Sequence, residues 1–270
     1  MSTSAPPYDE TVRRDFGGYG RTVVREGELL RHPTYTRFLH WTVAIFFFAA
    51  LLSGLAIYAP WLFGWLAPLF GGGPMCRFLH PWFGLGFVIA WAFQFVNWRE
   101  LMSWTEADRR WLRNIDRYVK NEDSIEPEHV GFYNGGQKLQ FWEILFGGAL
   151  LLITGLLMWF PEFSGRISVA ISYVLHDIAA LIMLGGIFIH IYLSTIGQPG
   201  TFQAMTRGVV TRAWAWTNHP AWYREVTGRD PRADYEEARR RQAERARAMA
   251  AFEGGEIKPE RGPTGSPADR

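Results

Sequence analysis

The sequence predicts an all-α integral membrane fold: a four-helix transmembrane bundle with cytoplasmic N- and C-termini and a charged C-terminal tail. Three observations carry this: four long windows free of Asp, Glu, Lys and Arg, a lopsided placement of basic residues, and 16% aromatic content. Phe38 to Tyr58 and Phe78 to Trp98 are charge-free runs of 21 residues each. Ile144 to Phe160 is a charge-free 17 preceded by Phe141 and Trp142, and Ile178 to Ile196 a charge-free 19 extended upstream by Ile167 to Leu175. A hydrocarbon core of about 30 Å takes roughly 20 helical residues. The expected spans are therefore 38–58, 78–98, 141–160 and 174–196. The mean hydropathy of −0.07 averages these windows with charged tails and describes neither. The 13 Trp, 20 Phe and 10 Tyr suit the aromatic belts of membrane interfaces.

Orientation follows from the basic residues, because loops rich in Lys and Arg stay in the cytoplasm. Arg77 is the one basic residue between spans 1 and 2, and Arg166 the one between spans 3 and 4; 28 minus 2 leaves 26 elsewhere. Both termini and the middle loop are thus placed in the cytoplasm, and the lipid bilayer is the first expected partner. Residues 1–31 hold no apolar core of signal-peptide type, so no cleaved segment is expected. The organisation predicted is an N-terminal extension (1–35), a four-helix domain (36–198), an aromatic and basic cytoplasmic segment (199–228), and a charged tail (229–270), helical near Asp234 to Glu253 and then disordered. The single Cys76 excludes an intrachain disulfide and a cysteine-ligated iron–sulfur cluster in this chain. A net charge of +2, with acids such as Glu122, Asp123 and Glu126 among the bases, gives no reason to expect nucleic acid.

Ionisable side chains at membrane depth are costly and usually functional. Four of seven histidines, His40, His80, His176 and His190, lie in or at the rim of the spans. His176 and His190 are 14 apart, so at 100° per residue they share one face of span 4, about 21 Å apart along it. Spans 1 and 4 run antiparallel, which sets His40 level with His190 near the cytoplasm. Spans 2 and 4 both start outside, which sets His80 level with His176. Two neutral imidazoles from facing helices are good axial ligands for the iron of a low-spin b-type haem. Four histidines at two matched depths therefore predict two haems b, one per leaflet. Gly54, 14 after His40, falls on the same face at the outer level, where a porphyrin needs backbone room; Gly84, Gly86, Gly185 and Gly186 offer similar room. Arg37 and Arg77 each precede a histidine by three, one turn toward their own surface, and are expected to pair with haem propionates. His32, His129 and His219 are read as surface or interface residues.

The segments Arg37-Phe-Leu-His40-Trp41-Thr42, Phe78-Leu-His80-Pro81-Trp-Phe-Gly84, Tyr133-Asn-Gly-Gly-Gln137-Lys138 and Asn218-His-Pro-Ala-Trp-Tyr-Arg224-Glu225 resemble the cytochrome b (gamma) subunit of membrane-bound respiratory formate dehydrogenase. The resemblance runs from about Thr36 to Val226. Arg-x-x-His-Trp is shared with other dihaem cytochromes b, whereas the stretch before span 3 is more particular. It implies that His40, His80, His176 and His190 ligate two haems b in the pairing above. It also implies a quinone pocket near the cytoplasmic haem, formed by Asn134, Gly136, Gln137 and His190. The implied partners are an iron–sulfur (beta) subunit and a molybdenum- or tungsten-containing catalytic (alpha) subunit that oxidises formate in the periplasm, with electrons passing from the outer haem to the inner one and on to quinone at the bacterial inner membrane. The chain has no substrate-oxidising motif of its own. Asp177, beside His176, departs from the small apolar residue common in the family. Two other readings stay open: the cytochrome b of a nickel–iron hydrogenase or sulfur-compound reductase, and a haem-free transporter or structural anchor. For Tyr133 to Lys138 an ordinary turn at the start of a helix is the alternative.

Overall fold

A computed structural model describes residues 27–116, 120 and 129–255. Most of the N-terminal extension, Glu122, Asp123 and Glu126 of the middle loop, and the end of the tail lie outside the described residues. Among the described residues, four helices are long and apolar enough to cross a membrane. They are α1 (Thr34–Tyr58), α3 (Gly73–Trp98), α5 (Gly135–Trp159) and α7 (Arg166–Tyr192), the last continued by a π-helical turn, Leu193–Gly197. The charge-free windows lie within these helices except Phe160, and the boundaries follow from local chemistry. Ala59 and Phe160 each precede a proline and turn extended (φ −133° and −121°), so α1 and α5 stop there. Short helices α2 (Pro60–Phe63) and α6 (Pro161–Ser164) follow, each opening on that proline, whose missing N–H costs nothing in a first turn.

The bundle is two antiparallel hairpins, α1 against α3 and α5 against α7, which meet chiefly along α3 and α5. Phe47, Phe87, Trp91, Phe141 and Met183 bury their side chains between all four helices. At the opposite end, the turn Gly64–Phe70 folds Leu66 back onto Ala56 and Cys76. Much of the remaining apolar surface, including Ile45, Phe93, Phe146 and Phe188, faces outward, as lipid-facing helices require.

Residues on either side of the bundle build a cap over the end that carries the termini. β1 (Glu28–Leu30) pairs antiparallel with β2 (Val209–Thr211), with Leu29 opposite Val210. Around this ribbon pack α8 (Phe202–Thr206), α9 (Arg212–Asn218) and α10 (Pro220–Thr227), centred on fully buried Trp222 and Tyr223. The Tyr223 hydroxyl donates to Asp234 Oδ2 at 2.5 Å, tying down α11 (Pro231–Gly255). Burial and that contact hold the Tyr223 phenol up at about 12. The expected helix near Asp234 to Glu253 is therefore present and somewhat longer.

The middle loop closes the same end. In α4 (Glu106–Arg113), Asp108 accepts from the Thr105 backbone N–H and hydroxyl, both at 2.7 Å, and from Lys138 Nζ of α5 at 2.8 Å. Both charges of this pair are more than nine-tenths buried. Lys138 also donates to the Ser103 carbonyl at 2.9 Å, so its desolvation is offset by two acceptors.

Candidate functional site

The structure brings the four span histidines together in pairs. The rings of His40 (α1) and His190 (α7) lie 6.1 Å apart between centroids, and those of His80 (α3) and His176 (α7) also lie 6.1 Å apart. All four are half-buried. His176 and His190 sit on one unbroken helix, so the two pairs are stacked about 21 Å apart. The His40 pair lies at the capped end and the His80 pair at the far end.

Hydrogen bonding fixes the far pair. Thr154 Oγ1 of α5 donates to the Leu150 carbonyl at 2.6 Å, which leaves its lone pairs to accept from His176 Nδ1, 2.9 Å away. His80 Nδ1 is 3.0 Å from the Ala50 carbonyl and 3.2 Å from Ser53 Oγ of α1. A carbonyl can only accept, so Nδ1 carries the proton in both rings and Nε2 keeps its lone pair. Spacing arguments missed Ser53 and Thr154, because a hydroxyl in an apolar helix normally bonds its own backbone. Both do that here too, and only the antiparallel register reveals the second partner. The near pair differs: among the described residues, buried His40 Nδ1 has no hydrogen-bond partner.

Glycines let the rings approach. A methyl group on Gly54 would sit 2.9 Å from His80 Cε1, so the glycine predicted at the outer level is required by the ring itself. A methyl group on Gly155 of α5 would lie 3.5 Å from His176 Cε1, an ordinary contact, so a side chain there could be accommodated. Gly84 and Gly185 face open space. Gly86 and Gly186 do not: their faces are filled by Phe46 and by the Glu143 carboxylate.

Arg37 Nη1 donates to the Thr206 carbonyl at 2.8 Å and Nη2 to Thr34 Oγ1 at 3.0 Å, fastening α1 to α8. Arg77 is exposed at the far end, its guanidinium 4.0 Å from where a Gly73 side chain would begin. Asn134, buried at 2% exposure, is the N-cap of α5. Its Oδ1 accepts from Gln137 N at 2.9 Å, and Gln137 Oε1 accepts from Asn134 N at 3.0 Å. This reciprocal capping box is the work of a helix-start turn. Gly136 packs under Trp111, where a methyl would meet Cη2 at 2.8 Å.

Two expectations are corrected. His32 and His219, read as surface or interface residues, are buried at 5% and 1% exposure. His219 Nδ1 donates to the Gly131 carbonyl at 2.7 Å, and His32 is surrounded by Trp98, Phe132 and Tyr133. Arg31 is 1% exposed, its guanidinium 3.9 Å from the Phe132 ring centroid and 4.5 Å from that of Trp222. Burial, reinforced by the Arg31 charge, holds both histidines well below the usual 6.5 and keeps them neutral. Loop position in the sequence concealed this, since only the tertiary cap buries them.

The prokaryotic cytochrome b561 profile matches residues 31–208. The nitrate-inducible formate dehydrogenase cytochrome b556(Fdn) subunit of Escherichia coli K12 is 36% identical over 213 residues, covering 77% of this chain and 96% of that protein. The cytochrome b556(fdo) subunit of formate dehydrogenase from the same strain is 35% identical over 205 residues, covering 75% and 95%. The formate dehydrogenase cytochrome b556 subunit of Haemophilus influenzae is 31% identical over 206 residues, covering 75% and 85%. On these grounds, and with four membrane-length helices around paired histidines, the chain belongs to the prokaryotic cytochrome b561 family.

Proposed function

We propose that the chain is the membrane cytochrome b subunit of a formate dehydrogenase, holding two haems b and delivering electrons to quinone. The observation that carries this is the repeated 6.1 Å ring separation at two levels. Two metal–imidazole bonds of about 2 Å, plus about 1 Å from each ring nitrogen to its ring centre, sum to about 6 Å. The space between each pair thus fits one iron. In the far pair, with Nδ1 held by Thr154 and by Ala50 with Ser53, the Nε2 lone pairs stay free, as ligation demands. When bound, the haems supply one-electron carriers at two depths, linking an iron–sulfur partner at the far end to quinone at the capped end.

Everything else is the chain's own work. His80 and His176 would hold the outer group, with Gly54 giving clearance and exposed Arg77 within reach of a propionate at that surface. His40 and His190 would hold the inner one. Quinone is assigned to the capped end, near Asn134, Gly136, Gln137 and His190. Because Asn134 and Gln137 are bonded to each other, their part is to fix the start of α5 beside the pocket, and Gly136 admits Trp111 to its wall. Arg37, bonded to Thr206 and Thr34, would meet a propionate through its remaining donors. The basic capped end is placed in the cytoplasm of a bacterial inner membrane and the far end in the periplasm, facing the iron–sulfur and molybdenum- or tungsten-containing subunits. Charge moving inward, with protons drawn from the cytoplasm, would build a membrane potential worth about 2.3 kcal/mol per charge per 100 mV.

A pyridine haemochrome assay and a reduced-minus-oxidised spectrum of the purified complex test this, alongside His80→Ala and His190→Ala. Two b haems per chain, a different one lost in each variant, is the expected result. A folded, haem-supplied protein that binds none would return the chain to a haem-free transporter or anchor.

A further inference from the structure

The four membrane helices contain two acids, Asp177 beside His176 and Glu143 in α5. Glu143 lies about 12 Å along α5 from its first residue, Gly135, half-buried in the first turn of the expected span. Its carboxylate is packed over the backbone of Gly186 in α7, where any side chain would collide with both oxygens. Gly186 precedes His190 by four residues, so the carboxylate rests one helical turn from that histidine, on its face of α7. Its partner is the Gln140 amide, which donates at 2.9 Å. The nearest cation on its own helix, Lys138, is committed to Asp108 and the Ser103 carbonyl. An acid held half-buried at the rim of a membrane span, against a glycine and with no cation bonded to it among the described residues, is a functional candidate by its cost.

We propose that Glu143 is the proton acceptor coupled to electron arrival at the inner, His40/His190 level; this rests on the dihaem reading above. One electron entering that level adds a negative charge close to the carboxylate in a medium of low dielectric, where like charges repel strongly. Glu143 takes one proton from the capped end to balance it. It releases the proton when the electron leaves for quinone, which takes up two electrons and two protons to become quinol. The other titratable groups facing this part of α5 are few. His190 stands on α7, and on α4 Asp108 is paired with Lys138. Between His80 and Arg99, α3 carries none, and α1 brings His40.

The test is a redox titration of both haems in the intact complex between about pH 5 and 9, in wild type, Glu143→Gln and Glu143→Asp. The inner haem is identified as the one missing from His190→Ala. The reduction equilibrium of the inner haem should change up to tenfold per pH unit, about 59 mV, in wild type and in Glu143→Asp. Glu143→Gln should abolish that slope with both haems still bound and the outer haem unaltered. Wild type without a slope, Glu143→Gln retaining it, or equal loss at both haems would overturn the coupling. Wild type lacking haem would instead overturn the dihaem reading on which it rests.

Discussion

The two histidine pairs share a ring separation and a helix but are built differently. At the far end, the protein supplies a hydrogen-bond acceptor to each ring: the Thr154 hydroxyl to His176, and the Ala50 carbonyl with Ser53 to His80. At the capped end, buried His40 Nδ1 has no partner among the described residues, while the acid of Glu143 sits one turn from His190. The far site is therefore orientationally complete within the chain, as would suit the electron relay proposed for it. The capped site keeps polar capacity in reserve, where the proposed function would have electrons meet protons. Rigidity and reactivity are thus divided along one helix, α7.

The largest effects should come from the ligands. His176→Ala is expected to remove the outer haem and leave the inner one, and His40→Ala the reverse, read as the loss of half the haemochrome absorbance. Loss of both haems in either variant would break the division into independent levels. Next comes the cap: Lys138→Met strands the Asp108 carboxylate, and thermal unfolding should show a loss of about 3–5 kcal/mol. Thr154→Val leaves the His176 N–H without an acceptor, and outer haem affinity should fall about 10- to 100-fold with the inner unchanged. Ser53→Ala should do less, because the Ala50 carbonyl still accepts from His80. The smallest effect concerns pH. His32 and His219 have folded-state values below 6.5, so in acid the unfolded chain binds protons that the folded cap refuses. Stability of the cap is full above 6.5 and is lost progressively as pH falls below it, measurable as faster proteolysis between β2 and α11. Cap proteolysis independent of pH over that range would refute the burial argument.

Much of this was legible in the residues. Charge-free windows locate the spans because the bilayer leaves few alternatives, and counting turns along α7 assigns the levels of His176 and His190 because a helix is a rigid ruler. The Asn134-x-x-Gln137 spacing carries a capping signature that the structure makes, whereas a quinone contact there is legible only through the family resemblance. Thr154 and Ser53 were invisible for a different reason: their partners are 22 and 27 positions away, and only the register between helices joins them. Arg31, His32 and His219 look solvent-exposed in any local window. They are buried by a cap assembled from residues nearly 190 apart, which no periodicity reports.

Both ring pairs take one member from α7, and β1 waits for β2 beyond it. A ribosome working from the N-terminus therefore makes two half-sites early and completes neither until the last span enters the membrane. The outer pair can close once His176 is inserted, and the inner one fourteen residues later. The terminal ribbon then draws together the two chain segments that flank the bundle, both at its capped end. On the proposed dihaem reading, cofactor loading becomes the final act of biosynthesis, and a chain stalled or clipped before its fourth helix carries neither complete ligand pair.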